Sequence, residues 1–120
     1  MKNRVYLILL ALADADLHGL GIARAVQDLS DGQTRLWPAS LYGTLDELEE
    51  TGLIEELSDP RHRPADESEK KRFYRLTRAG HRALAAETDR LAALVKVARS
   101  RLKPRSGETA TPFTKATVVK

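Results

Sequence analysis

Leu36-Trp37-Pro38-Ala39-Ser40-Leu41-Tyr42-Gly43-Thr44-Leu45-Asp46-Glu47-Leu48-Glu49-Glu50-Thr51-Gly52-Leu53-Ile54 is the stretch whose reading decides the fold. It spells one helix with its start and stop included. Pro38 suits the first helical position, where a missing N–H leaves nothing unpaired and the fixed φ is already helical. Leu41, Leu45 and Leu48 recur at i, i+4 and i+7 as one apolar stripe. Gly52 follows the last turn as a C′ residue, and Leu53-Ile54 opens an apolar extended segment. Opposite the stripe, Ser40, Tyr42, Gly43 and Thr44 are small or hydrogen-bonding and uncharged. A helix that exposes such groups and then passes directly to a strand is built like a recognition helix in front of a wing.

Two further motifs flank it. Leu17-His18-Gly19-Leu20-Gly21-Ile22 opens a second helix running to about Leu29, with Ile22, Val26 and Leu29 on one face. Lys71-Arg72-Phe73-Tyr74-Arg75-Leu76-Thr77, followed by Gly80, reads as a strand entering a last helix with Thr77 as N-cap. Together with Pro38-Ala39-Ser40-Leu41-Tyr42, Leu45, Leu48-Glu49-Glu50 and Gly52-Leu53-Ile54, these segments resemble, in order, the PadR family of winged helix-turn-helix transcriptional regulators. The likeness extends from residue 4 to about 102. Two positions depart from the family pattern: Leu20 stands where an aromatic is usual between the glycines, and Trp37 where a small capping residue is usual before the proline.

The remaining elements follow in order. Arg4 to about Ala13 is a first helix, buried on most faces; it imitates a secretory signal but is shorter than the ~15–30 residues one needs. It is also too short for a bilayer, which takes ~20 apolar residues, so the expectation is a cytoplasmic protein with no membrane association. Gly19 and Gly21 lower helix propensity by about 1 kcal/mol each relative to alanine, which predicts close packing there. Ser30 to Thr34 is a turn, and the helix pair it joins is a helix-turn-helix. Leu53 to Leu57 is the first wing strand, Ser58 to Lys70 a long loop, and Lys71 to Leu76 the second strand. The last helix runs to about Leu102, where Pro104 stops it.

That last helix carries a heptad-like stripe of Leu84, Thr88, Leu91, Val95, Ala98 and Leu102 with Leu94 beside it. A small winged domain leaves part of so long a stripe uncovered, and pairing with the same helix of a second chain is the simplest solution; the PadR resemblance implies such a homodimer. The expected division is a winged helix-turn-helix domain over residues 1–77, a dimerisation helix over 78–103, and a disordered polar tail over 104–120. The fold class is mainly α, with a two-stranded β-wing and a long C-terminal helix.

Charge refines the functional reading. The net charge is +3, yet residues 1–102 carry 16 basic and 16 acidic groups. Leu36 to Leu57 holds six acidic residues and no basic one, whereas Arg61 to Arg105 holds fourteen basic and five acidic. A polyanion would be met by the second half of the chain. The expected interface with double-stranded DNA is therefore Pro38, Ser40, Tyr42, Gly43 and Thr44 on the central helix, Arg35 just ahead of it, and Arg61, Arg63, Lys70, Lys71 and Arg72 of the wing on phosphates. Asp46, Glu47, Glu49 and Glu50 would repel phosphate, so the helix must enter by its N-terminal end, whose free N–H groups favour phosphate. Trp37 is read as packing.

Other classes find little to stand on. The chain has no cysteine, and His18, His62 and His81 show no ligand spacing, so no metal is expected. No nucleophile–base set, phosphate-cradling loop or paired carboxylates in an apolar pocket points to catalysis, and no cofactor is expected. The resemblance implies a repressor on a palindromic operator, open to release by a small-molecule effector; a flat aromatic one finds no aromatic side chain on the last helix to stack against. The alternative is a winged-helix module that binds another protein through its acidic central helix and its long last helix.

Overall fold

The computed structural model describes residues 1–57 and 72–104. Four helices and three short strands follow one another as α1 (Asn3–Ala11), β1 (Leu17–His18), α2 (Gly19–Leu29), α3 (Pro38–Glu50), β2 (Ile54–Leu57), β3 (Phe73–Leu76) and α4 (Arg78–Arg101). Leu7, Ile8, Leu9, Ala11 and Leu12 are all buried, so α1 is enclosed on several sides, against α2 and α4. The core continues through Ile22 and Val26 of α2, Leu41, Leu45 and Leu48 of α3, Ile54, Tyr74 and Leu84.

Local chemistry fixes the element ends. The α3 terminus is a Schellman motif: Leu53 N–H donates to the Leu48 carbonyl (2.9 Å) and Gly52 N–H to that of Glu49 (3.0 Å). This requires φ of +81° at residue 52, which glycine adopts without strain. Residue 53 then leads straight into β2. His18 caps α2, its Nδ1 accepting from Gly21 N–H at 3.1 Å. Thr77 caps α4, its Oγ1 accepting from Gly80 N–H at 3.0 Å. That hydroxyl also donates to the Gly52 carbonyl (2.6 Å), while Thr77 N–H donates to that of Leu53 (3.1 Å). One residue thus ties the end of α3 to the start of α4.

The sheet departs from the sequence reading in one respect. β2 and β3 form the expected antiparallel pair, from Ile54 opposite Leu76 to Leu57 opposite Phe73. Leu17 and His18, taken as the lead-in to a helix, add a third strand on the other edge of β3, opposite Tyr74 and Phe73. Two residues are too few to show a period-2 pattern, so pairing with β3 alone defines the strand. His18 stands edge-on to Phe73 with ring centroids 5.3 Å apart. Tyr74 becomes the centre of the central strand and is fully buried.

The stripe on α4 divides in two. Leu84 is part of the chain's own core, and the Thr88 hydroxyl lies 2.8 Å from that of Tyr6 on α1. Spacing had put both in the intermolecular seam; heptad periodicity cannot tell a partner on α1 from one on a second chain. Beyond Leu91, which is half-buried, the stripe faces solvent: Leu94 is 52% exposed and Leu102 63%, with Val95 and Val97 also exposed. No described helix is long and apolar enough to cross a membrane.

Candidate nucleic-acid interface

α3 is held from beneath by Leu41, Leu45 and Leu48, and by a fourth residue that the sequence reading placed on the opposite face. Thr44 is 4% exposed, and its Oγ1 donates to the Ser40 carbonyl at 2.8 Å. Lying at i+3 from Leu41, it belongs to the buried stripe, and its hydroxyl is satisfied inside the helix. Thr44 is therefore withdrawn from the exposed set. Ser40 is half-buried, with its hydroxyl turned to the Trp37 carbonyl at 3.4 Å.

The outward face begins with Pro38, Ala39, Tyr42 and Gly43 and continues one turn later with Asp46, Glu47 and Glu50, all exposed. The neutral and acidic groups therefore share a face and differ in position along the axis. Tyr42 is 40% exposed, and a Cβ on Gly19 would overlap its hydroxyl, so the ring lies against the start of α2. The close packing anticipated at Gly19 is present; Gly21 makes ordinary contacts with Leu17 and His18. At Gly43 nothing lies within 4 Å of an added Cβ, which leaves the α3 backbone open to an approaching surface.

The N-terminal end of α3 carries a feature that the sequence reading missed. Trp37 is 62% exposed rather than packed, and the Arg35 guanidinium lies 5.1 Å from the centre of its ring. Aromatic residues are expected inside by default; the available signal was position, because Trp37 is the N-cap and lies off the apolar stripe. Its side chain makes no capping hydrogen bond.

Of the wing cations, Arg61, Arg63, Lys70 and Lys71 lie outside the described residues. Arg72 is engaged within the chain: it meets Glu56 at 2.9 Å and Glu49 at 3.5 Å, and its guanidinium sits 5.5 Å from the centre of the Tyr74 ring. The hydrogen bond to Glu56 raises its pKa further. Sequence charge alone counted Arg72 as a phosphate ligand; in the fold it joins α3 to the two wing strands and neutralises Glu49 and Glu56. Arg75 pairs with Glu55 on the same hairpin. Burial pushes the Tyr74 phenol up to about 12, against a smaller opposing effect of Arg72. Its hydroxyl has no hydrogen-bond partner among the described residues.

Among the described residues no group of His, Cys, Asp or Glu is arranged to hold a metal ion. An open groove of about 570 Å³ lies between the α1–β1 turn and the start of α4, with Asp14 and Asp16 on one wall and Arg75, Arg78, His81 and Arg82 on the other.

The sequence profile of the transcriptional regulator PadR-like family matches residues 8–86. A 37.1 kDa uncharacterized protein in transposon TN4556 of Streptomyces fradiae is 40% identical over 88 residues, 73% of this chain; the match covers 23% of that relative's length. The fold is similar to a transcriptional regulator from Clostridium thermocellum (TM-score 0.66, 21% identity, 83% of this chain and 90% of that one). It is equally similar to a PadR family transcription regulator from Clostridium difficile (TM-score 0.66, 23% identity, 85% and 100%). A third similar structure is BpsR of Bordetella bronchiseptica, whose DNA binding is regulated by 6-hydroxynicotinic acid (TM-score 0.57, 18% identity, 82% and 64%).

Proposed function

Because the chain belongs to the PadR-like family of transcriptional regulators, we propose that it is a homodimeric, sequence-specific DNA-binding repressor that occupies a palindromic operator. The observation that carries the reading is the mounting of α3: its apolar stripe is locked into the core, and its uncharged N-terminal half faces outward beside a β-hairpin. That half enters the major groove. The acidic second half, at Asp46, Glu47 and Glu50, stays clear of phosphate because the helix goes in end-first, with its N-terminal N–H groups leading.

In this reading Pro38, Ser40, Tyr42 and Gly43 line the groove contact and Arg35 meets phosphate. Arg61, Arg63, Lys70 and Lys71 supply sequence-independent affinity from the wing. Residues 1–77 are the DNA-binding unit, 78–103 pair two chains, and 104–120 form a polar tail. The pairing surface starts at Leu91 and includes Leu94, Val95, Ala98 and Leu102, since Leu84 and Thr88 are used within the chain. Twofold symmetry then places the half-sites about one helical turn (~34–36 Å) or a multiple apart. The protein works in the cytoplasm, without membrane, metal or cofactor, and a small molecule releases it from DNA, as the regulated DNA binding of BpsR suggests by analogy.

A second reading is favoured by one observation, the exposed acidic patch of Asp46, Glu47 and Glu50, which suits a basic protein partner. Both are tested by binding the purified protein to a labelled fragment of its own upstream region over a salt series, with random DNA as competitor. Specific retention with a steep salt slope supports the repressor and counts its phosphate contacts. Retention no better than on random DNA transfers the weight to the protein-binding module.

A further inference from the structure

Trp37 is the only tryptophan in the chain, and it is the most exposed residue of its size next to the recognition helix. The indole neither fills the core nor caps the helix. The local backbone nevertheless fixes where it stands: residue 37 is extended (φ −82°, ψ 155°) because Pro38 follows, and Pro38 starts α3. The Arg35 guanidinium lies over the ring, 5.1 Å from its centre. From Leu36 through Leu57 there is no basic residue and there are six acidic ones, so Arg35 is the last cation in the sequence before α3 and its acidic run. The apolar face and the cation are thereby presented as one unit.

We infer that Trp37 and Arg35 form a composite DNA contact at the tip of α3, the indole lying against an apolar part of the duplex, a deoxyribose or a thymine methyl, and the guanidinium donating to the neighbouring phosphate. The stack on the ring removes rotamer freedom from Arg35 before DNA arrives. It gives this chain a contact at the residue just ahead of Pro38, where α3 begins. The inference rests on the DNA-binding reading above and adds two residues acting together, one of which, Trp37, that reading does not use.

Trp37, the lone tryptophan, reports its own environment when excited at the red edge, where the tyrosines do not absorb. Tryptophan emission is followed while the full-length protein is titrated with the upstream duplex and, separately, with a random-sequence duplex at low salt; binding is followed independently by anisotropy of labelled DNA. Emission should change in step with anisotropy. Trp37→Ala, at an exposed site that leaves helix content unchanged by circular dichroism, should weaken binding about tenfold, as expected for roughly 50 Å² of apolar surface taken from water. Trp37→Phe should retain most of the affinity. Loss on both duplexes identifies a sugar contact; loss on the upstream duplex alone identifies a thymine methyl. Arg35→Ala should reduce the salt slope by about one. DNA binding with unaltered emission and an unaffected Trp37→Ala variant overturns the inference and leaves the regulator standing. Emission that responds to protein dilution instead of DNA assigns Trp37 to a subunit contact and likewise overturns it. Absence of DNA binding by the unmodified protein removes both.

Discussion

Replacing Gly80 with alanine adds one methyl group to the first turn of α4, and the fold has no room for it. The new Cβ would overlap the Leu53 carbonyl oxygen and Leu76 Cδ1. The first of these is backbone and cannot swing aside. Relief requires α4 to move away from residues 52–53, which breaks Thr77 N–H to Leu53 O (3.1 Å) and Thr77 Oγ1 to Gly52 O (2.6 Å). Two such bonds contribute about 1 kcal/mol each, and forced repacking of the contact costs about 1–3 kcal/mol. Alanine gains back at most about 1 kcal/mol of helix propensity. The expected net loss is about 2–4 kcal/mol, a fall in Tm of roughly 10–30 °C for a domain of this size. Gly43→Ala is the matched control: it is the same change within a helix, with nothing within 4 Å of the new atom. It should raise stability by about 0.5–1 kcal/mol. Thermal melts by circular dichroism at equal protein concentration compare the two. Opposite signs are required; a Gly80→Ala variant as stable as the parent, beside a stabilised Gly43→Ala, would refute the close-approach argument.

Two further outcomes are expected. Tyr74 holds its proton up to about 12 in the folded state against 10.0 ordinarily, so between those values the native state binds more protons than the unfolded one. Stability should therefore fall as pH rises through that window, by at most about 1.4 kcal/mol per unit. Urea melts in alkaline buffer should show the fall, and Tyr74→Phe should abolish it; an equal fall in that variant would show that another group is responsible. Sedimentation of a Leu94→Asp/Val95→Asp variant should report monomers with helix content preserved, because both side chains are exposed within one chain. An unchanged dimer would move the pairing surface elsewhere.

Much of this architecture was legible because its punctuation is chemical. Pro38 and Gly52 bracket α3, and Thr77 announces α4. What escaped the reading depended on partners distant in sequence. Arg72 appeared to be a wing cation until Glu49 and Glu56 were found beside it, 23 and 16 positions away. Leu84 and Leu94 look alike in a heptad, and only the folded chain separates the one that meets α1 from the one that meets water. Thr44 shares the spacing of Leu41 and Leu48, but its hydroxyl suggested exposure; a bond to its own helix removes that argument. Trp37 is the reverse case, an apolar side chain left outside.

The joint at Thr77 has a mechanical consequence. α4 has 24 residues and is therefore a rod of about 36 Å at 1.5 Å per residue. A tilt of about 10° at its base would carry the far end some 6 Å sideways, more than the 5.4 Å pitch of one helical turn. Two hydrogen bonds from Thr77, to the carbonyls of Gly52 and Leu53, fix the base of the rod, and the Tyr6–Thr88 contact holds it further along, where it has the longer lever arm. If two such rods meet between Leu91 and Leu102, the accuracy with which the paired α3 helices are spaced depends on this base and on the α1 contact as well as on the surface where the chains touch.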